Sequence, residues 1–118
     1  MAKKIFIVED EADLMEFYIA ALEASGHTVV GWAANGAEAV DKFSKLAERP
    51  DVIIMDHRMP MKSGIEATRE ILEIDPGAKV IFASADKSVE REALSLGAAA
   101  FKTKPFDLDK LLRNIEKA

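Results

Sequence analysis

There is no cysteine in this chain. Disulfide scaffolds, thiol nucleophiles, iron–sulfur clusters and zinc–thiolate sites are therefore excluded. Proline and glycine are sparse, at four and six of 118 residues. They gather in no linker, and no repeat divides the sequence, so residues 1–118 read as one domain with no output module attached. Long apolar runs are missing too. Ile5-Phe6-Ile7-Val8 follows Lys3-Lys4 but ends at Glu9-Asp10-Glu11. That is short of the about 7–15 apolar residues of a signal peptide and far short of the ~20 of a membrane span. Nor is there an excess of positive charge. Lys and Arg number 16 against 21 acids, the net charge is −5, and no basic run exceeds Lys3-Lys4. Phosphate contacts need a basic surface, so direct nucleic-acid binding is not expected of this domain. A cytoplasmic protein without membrane contact is the expectation.

What is present suffices for a core. Apolar residues make up 49% and charged residues 31%, which excludes disordered and fibrous classes. A globule of this length has a radius of gyration of roughly 13–14 Å and buries about two-thirds of its unfolded surface.

Short apolar runs alternate with amphipathic stretches. Ile5–Val8, Val52–Met55 and Val80–Ala83 are continuous and rich in β-branched residues, as strands covered on both faces are. Thr28–Trp32 is a weaker fourth strand. Between them run helical patterns. Leu14, Phe17, Tyr18, Ala21 and Leu22 mark the apolar face of the first helix, which Gly26 ends. Val40, Phe43, Leu46 and Ala47 mark the second, opened by Asn35-Gly-Ala-Glu38. Ser63-Gly-Ile-Glu66 is a capping box for the third, which stops by Asp75-Pro76-Gly77. Val89, Ala93 and Leu96 lead to Gly97 in the fourth. Leu108, Leu111, Leu112 and Ile115 follow Pro105 in the fifth. Ala99–Thr103 is assigned to a strand against the helix propensity of its alanines, because Gly97 breaks the helix before it and the alternation requires a strand there. Five βα pairs and right-handed crossovers predict an α/β, flavodoxin-like, doubly wound parallel sheet with strand order 2-1-3-4-5.

In such a sheet, ligands bind beyond the carboxyl ends of the strands. Those ends carry Glu9-Asp10, Asp56, Ser84 and Lys104-Pro105. Three carboxylates in one crevice repel, by about 4 kcal/mol per pair at ~4 Å and an effective dielectric near 20. A cation relieves this, and an oxygen-only donor set selects a hard one, Mg²⁺ or Mn²⁺. Mg²⁺ typically takes one or two carboxylates plus phosphate oxygens. Lys104 adds a point charge for another phosphate oxygen and Ser84 a hydroxyl. Asp56, flanked by these groups, is the natural nucleophile for an aspartyl phosphate. Each residue also has a plainer reading: Asp10 as N-cap of the first helix, Asp56 as a turn residue, Ser84 as a cap and Lys104 as a solvated loop lysine.

Taken in order, the motifs resemble those of the receiver domain of response regulators, the phosphoacceptors of two-component signalling, and within it the stand-alone, chemotaxis-regulator type. They are Glu9-Asp10 after Ile5-Phe-Ile-Val8, Val52-Ile-Ile-Met-Asp56-His-Arg-Met-Pro60 with Gly64, Val80-Ile-Phe-Ala-Ser84-Ala85, and Gly97-Ala-Ala-Ala-Phe101-Lys-Thr-Lys104-Pro105-Phe106. The resemblance runs from about Lys3 to Lys117.

It implies that Asp56 is phosphorylated, that Asp10 and Asp56 ligate Mg²⁺ directly, that Glu9 holds a metal-bound water, and that the backbone carbonyl of Arg58 is a further ligand. It implies that Lys104 pairs with Asp56 before phosphorylation and with the phosphoryl group after, that Ser84 and Phe101 form the switch, and that Lys104–Pro105 is a cis peptide. The implied partners are a sensor histidine kinase or phosphotransfer protein, with a small acyl phosphate as alternative donor. A downstream protein would read the face of the fourth helix, fifth strand and fifth helix, and dimerisation through that face is admissible. Such a domain is a signalling module, not an enzyme, and catalyses only its own phosphorylation and dephosphorylation. Two departures stand out: Glu-Asp replaces the commoner Asp-Asp, and Phe101 stands where many members have Tyr, which predicts a less polarised switch.

Arg58 and Asp86 flank the site mouth in this family and are oppositely charged here. They are expected either to pair across it or to stay solvated. His57 is expected to play no catalytic part, His27 to lie at the surface, and Trp32 either to meet a partner or to pack on a helix flank. Three rival readings fit the residues less well. A haloacid-dehalogenase-like phosphatase needs an acid where Arg58 stands. A flavodoxin-like flavin binder needs a hydroxyl- and glycine-rich loop where Glu9-Asp10-Glu11 stands. A non-phosphorylated pseudo-receiver lacks the Asp, the acidic pair or the Lys, all present here.

Overall fold

The computed structural model describes residues 2–57, 59, 61–104 and 108–118. Five strands, β1 (Lys4–Val8), β2 (Thr28–Ala33), β3 (Val52–Met55), β4 (Val80–Ser84) and β5 (Ala100–Thr103), form one sheet. All pairings are parallel and the order is β2-β1-β3-β4-β5. The helices are α1 (Ala12–Ala24), α2 (Gly36–Lys45), α3 (Gly64–Ile74), α4 (Glu90–Leu96, after a 3-10 turn at Lys87–Val89) and α5 (Leu108–Lys117). The radius of gyration is 12.6 Å. The predicted α/β architecture and strand order are those observed.

The continuous apolar runs are buried because both sheet faces are covered. Side chains alternate across the pleat, and each face has its own cluster. Phe6, Val8, Ile53, Met55, Val80 and Phe82 pack with Phe43 of α2, Ile71 of α3 and Ala93 of α4. Ile5, Ile7, Val52, Ile54, Ile81 and Ala83 pack with Tyr18 and Leu22 of α1 and Leu111 and Ile115 of α5. Each large side chain so buried contributes about 1.5–3 kcal/mol against exposure.

The caps behave as their chemistry predicts. Asn35 accepts from the Glu38 amide, and Ser63 with Glu66 forms a reciprocal capping box. Gly26 follows the end of α1 with φ +93°, and Gly97 caps α4 with φ +115°. A left-handed backbone of this kind favours glycine.

Three expectations fail. Phe17 is half-exposed, and Met15 takes the buried place beside Tyr18 and Leu22. Residues 14–22 are apolar at nearly every position, so periodicity alone leaves the rotation of α1 open. The second helix ends at Lys45, and Ala47 is exposed. There Arg49 donates to the Phe43 carbonyl at 2.9 Å and lays its guanidinium 4.7 Å from the centre of the Phe43 ring. His27 is buried rather than superficial, because its Nδ1 accepts the Lys3 amide at 3.0 Å and ties the entry of β1 to that of β2. Trp32, on the edge strand β2, is half-exposed.

Candidate functional site

The ladder continues past the strand ends. Asp56 N–H donates to the Val8 carbonyl at 3.0 Å, Glu9 N–H to Ala33 at 3.0 Å, and Lys104 N–H to Ser84 at 2.9 Å. Glu9, Asp56 and Lys104 therefore keep the strand alternation. Glu9 lies two residues beyond Ile7, Asp56 two beyond Ile54 and Lys104 four beyond Ala100, all on the face that α1 and α5 cover. Three separate strands thus bring these groups to one edge of one face.

One carboxylate oxygen from each of Glu9, Asp10 and Asp56 can be chosen so that all lie within 4.8 Å of one another. Glu9 and Asp56 are buried, while Asp10 is exposed. The structure gives α1 its N-cap at Glu11, without a side-chain cap bond, so Asp10 is not held as a cap. Lys104 Nζ stands 2.8 Å from Glu9 Oε1 and 3.6 Å from Asp56 Oδ1. The His57 amide donates to Asp56 Oδ1 at 2.9 Å, and the Glu11 amide to Glu9 Oε2 at 3.2 Å. A pocket of about 170 Å³ lies over the cluster, lined by Asp10, Glu11, Asp56, Ser84, Ala85 and Lys104.

Close packing of acids in a dry site changes their proton affinity. Burial foremost, then the charge on Glu9, pushes the Asp56 carboxyl up from 3.8 to about 7, against the pull of Lys104. Burial likewise raises Glu9 above the usual carboxylate range, although Lys104 opposes it. Both shifts say that negative charge here is under-compensated. A hard divalent cation fits this donor set: three carboxylates, no nitrogen or sulfur, and a shortfall of positive charge.

Two glycines pack closely against the backbone at Asp56 and Lys62. A Cβ on Gly64 would lie 2.1 Å from the Asp56 carbonyl oxygen, and one on Gly36 2.1 Å from that of Lys62. Both glycines are required by close backbone approach. Between them, Met61 is 84% exposed and holds φ +71°, a conformation costly for a side chain of its kind.

Ser84 is buried, and its Oγ accepts the Asp86 amide at 3.0 Å. Asp86 Oδ1 accepts the Ser88 amide at 3.1 Å and the Ser88 hydroxyl, closing the 3-10 turn before α4. Phe101 is partly buried and stacks on Phe82, with ring centres 6.2 Å apart. Arg58 and Pro105, and with them the expected carbonyl ligand, the Arg58–Asp86 pair and the cis peptide, lie outside the described residues.

The family model for the response regulator receiver domain matches residues 5–116. The chain belongs to that family. Among curated proteins, this receiver domain is 38% identical to the chemotaxis protein CheY of Thermotoga maritima over 99% of this chain and 98% of that one. It is 40% identical to CheY of Bacillus subtilis, again over 99% and 98%. Among solved structures, it superposes with a TM-score of 0.90 on a chain of the CheX–CheY–BeF3–Mg complex of Borrelia burgdorferi. That match is 29% identical and covers 97% of this chain and 87% of the other. The receiver domain has no helix, among the described residues, long and apolar enough to cross a membrane.

Sequence reading found the acidic cluster and Lys104 because they sit at strand ends. It did not find that Lys104 stands closer to Glu9 than to Asp56. The signal was available: Glu9 shares the sheet face of Ile7, and β1 lies beside β3.

Proposed function

We propose that this receiver domain accepts a phosphoryl group on Asp56, in the presence of Mg²⁺ or Mn²⁺, and passes the signal on by protein contact. The observation that supports this most is the convergence of Glu9, Asp10 and Asp56 with Lys104 between two of them. Asp10, Asp56 and Glu9 would hold the cation. When bound, the cation supplies positive charge for the phosphoryl oxygens and offsets the repulsion among the acids.

The chain's own residues do the rest. His57 N–H and Lys104 hold Asp56 Oδ1 and so orient the carboxylate. An Asp56 oxygen attacks phosphorus as the donor bond breaks. With a phosphohistidine donor, a P–O bond forms, the P–N bond is lost, and the electron pair stays on the imidazole. Lys104 then shifts from Glu9 to an equatorial oxygen and neutralises charge there. Ser84, already lining the pocket, turns its hydroxyl from the Asp86 amide to another oxygen. That frees the Asp86 amide at the head of the 3-10 turn before α4, and Phe101 follows. The face of α4, β5 and α5 thereby changes population.

The phosphodonor is a sensor histidine kinase or phosphotransfer protein, and the reader of the α4-β5-α5 face is a protein partner. The chain acts as a signalling module in the cytoplasm and not as an enzyme on a separate substrate. Incubation with acetyl phosphate tests this. Intact mass should rise by one phosphoryl group with Mg²⁺, not with EDTA, and not in Asp56→Asn. Absence of uptake in wild type, with absence of beryllofluoride binding, would leave a pseudo-receiver.

A further inference from the structure

We propose that the groove beside Trp32, on the edge of the sheet, is a docking site for an acidic segment of a protein partner that seats one aromatic side chain there. This goes beyond the phosphoacceptor reading and does not depend on it.

The groove follows from one missing side chain. β2 is an edge strand of the sheet, and its Gly31 stands opposite Phe6 of β1. A Cβ on Gly31 would lie 3.1 Å from the Phe6 ring and 3.7 Å from Leu46. Glycine leaves that space open. A groove of about 360 Å³ lies over Phe6 and Leu46, with Trp32, Lys42 and Lys45 along its walls. Trp32 is 52% exposed. A half-exposed indole beside an open notch is surface that a partner's ring can cover. The volume is at the small end of ligand pockets, about 300–1,000 Å³, which suits one anchoring ring rather than a larger body.

Charge selects the partner. The charged side chains on the groove wall are both lysines. Lys42 Nζ is 3.0 Å from Glu38 and Lys45 Nζ 3.1 Å from Asp41, but neither acid is on that wall. Both are i,i+4 pairs on α2, and exposed pairs of this kind are weak enough for a partner carboxylate to replace. Lys45, with its side chain 73% exposed, is the freer of the two. In a protein of net charge −5, a groove walled by two lysines favours an acidic partner over a basic one.

The strand edge says how the partner is held. The Ala33 carbonyl accepts the Glu9 amide, so by alternation the Trp32 carbonyl points away from β1. Lys42 Nζ donates to that carbonyl at 2.8 Å. A lysine on an edge blocks strand addition, so the groove takes a side chain and not a further strand.

The chain has one tryptophan, and its emission therefore reports on the groove directly. The probe is acetyl-Glu-Phe-Glu-amide, titrated without Mg²⁺ or a phosphoryl mimic, so that the result stands apart from the chemistry of Asp56. Trp32 emission should shift to the blue and saturate as water leaves the indole. Acetyl-Gln-Phe-Gln-amide should bind about fivefold more weakly, and acetyl-Glu-Ala-Glu-amide should give no shift. In Lys45→Glu, a change at an exposed position, affinity for the acidic peptide should fall about tenfold. Gly31→Ala, which begins to fill the groove, should weaken it too. An unmoved emission, equal affinity for the acidic and neutral peptides, or undiminished affinity in Lys45→Glu would overturn the proposal while leaving the phosphoacceptor reading intact. A blue shift that grows with protein concentration alone would mean that a second copy covers the groove, and would overturn it as well.

Discussion

Removing the negative charge of Asp56 should stabilise the metal-free fold. Its carboxyl is raised from 3.8 to about 7, by burial and by Glu9. A folded-state pKa above the unfolded one means that the folded state binds the proton more tightly, so stability falls with rising pH. Below about pH 4 both states are protonated and nothing is lost. Between about pH 4 and 7 the unfolded chain ionises first, and above about 7 the loss is complete. A rise from 3.8 to about 7 corresponds to roughly 4 kcal/mol at ~1.4 kcal/mol per tenfold change in acidity. Relaxation of the site reduces this, and about 1–3 kcal/mol is the expectation. Asn is isosteric and keeps an oxygen for the His57 amide. In EDTA at pH 8, urea unfolding should therefore show Asp56→Asn more stable by about 1–3 kcal/mol, near 4 °C in melting temperature for each kcal/mol. At pH 4 the two proteins should coincide. Saturating Mg²⁺ should narrow or reverse the gap, since about 2.7 kcal/mol accrues to wild type at a hundredfold excess over Kd. An Asn variant that is less stable in EDTA at pH 8 would refute the claim that charge is under-compensated in this pocket.

Three further outcomes follow from local geometry. Gly64→Ala should cost about 3 kcal/mol and weaken Mg²⁺ binding, because its Cβ must displace the Asp56 carbonyl at the buried head of α3; denaturation and calorimetry together check it. Met61→Gly should stabilise by roughly 0.5–1 kcal/mol by relieving the left-handed backbone, less the added freedom of the unfolded chain; a loss of stability would show that the exposed thioether makes a contact of its own. Ser63→Ala should cost about 1 kcal/mol by removing the capping box of α3, seen as a lower urea midpoint.

The architecture was legible because its signals are local. Ile5–Val8, Val52–Met55 and Val80–Ala83 are continuous apolar runs, Asn35 and Ser63 are caps, and Gly26 and Gly97 are stops. The same logic exposed the acidic cluster, since a parallel sheet gathers its strand ends. What escaped depends on packing between distant elements. The rotation of α1, which buries Met15 and exposes Phe17, is hidden by a helix apolar at almost every position. The burial of His27 depends on a bond to Lys3 across two strands. The choice of Lys104 between Glu9 and Asp56 depends on three strands meeting at one edge.

The most direct test of the central claim is to find which carboxylate carries the phosphoryl group. The protein is phosphorylated with acetyl phosphate and Mg²⁺ and reduced with borohydride, which converts an aspartyl phosphate to homoserine. The peptides are then sequenced by mass spectrometry. Conversion at position 56 alone is the predicted result. Conversion at Asp10 or reduction at Glu9, or an unmodified Asp56 in protein that has gained phosphoryl mass, would contradict the account.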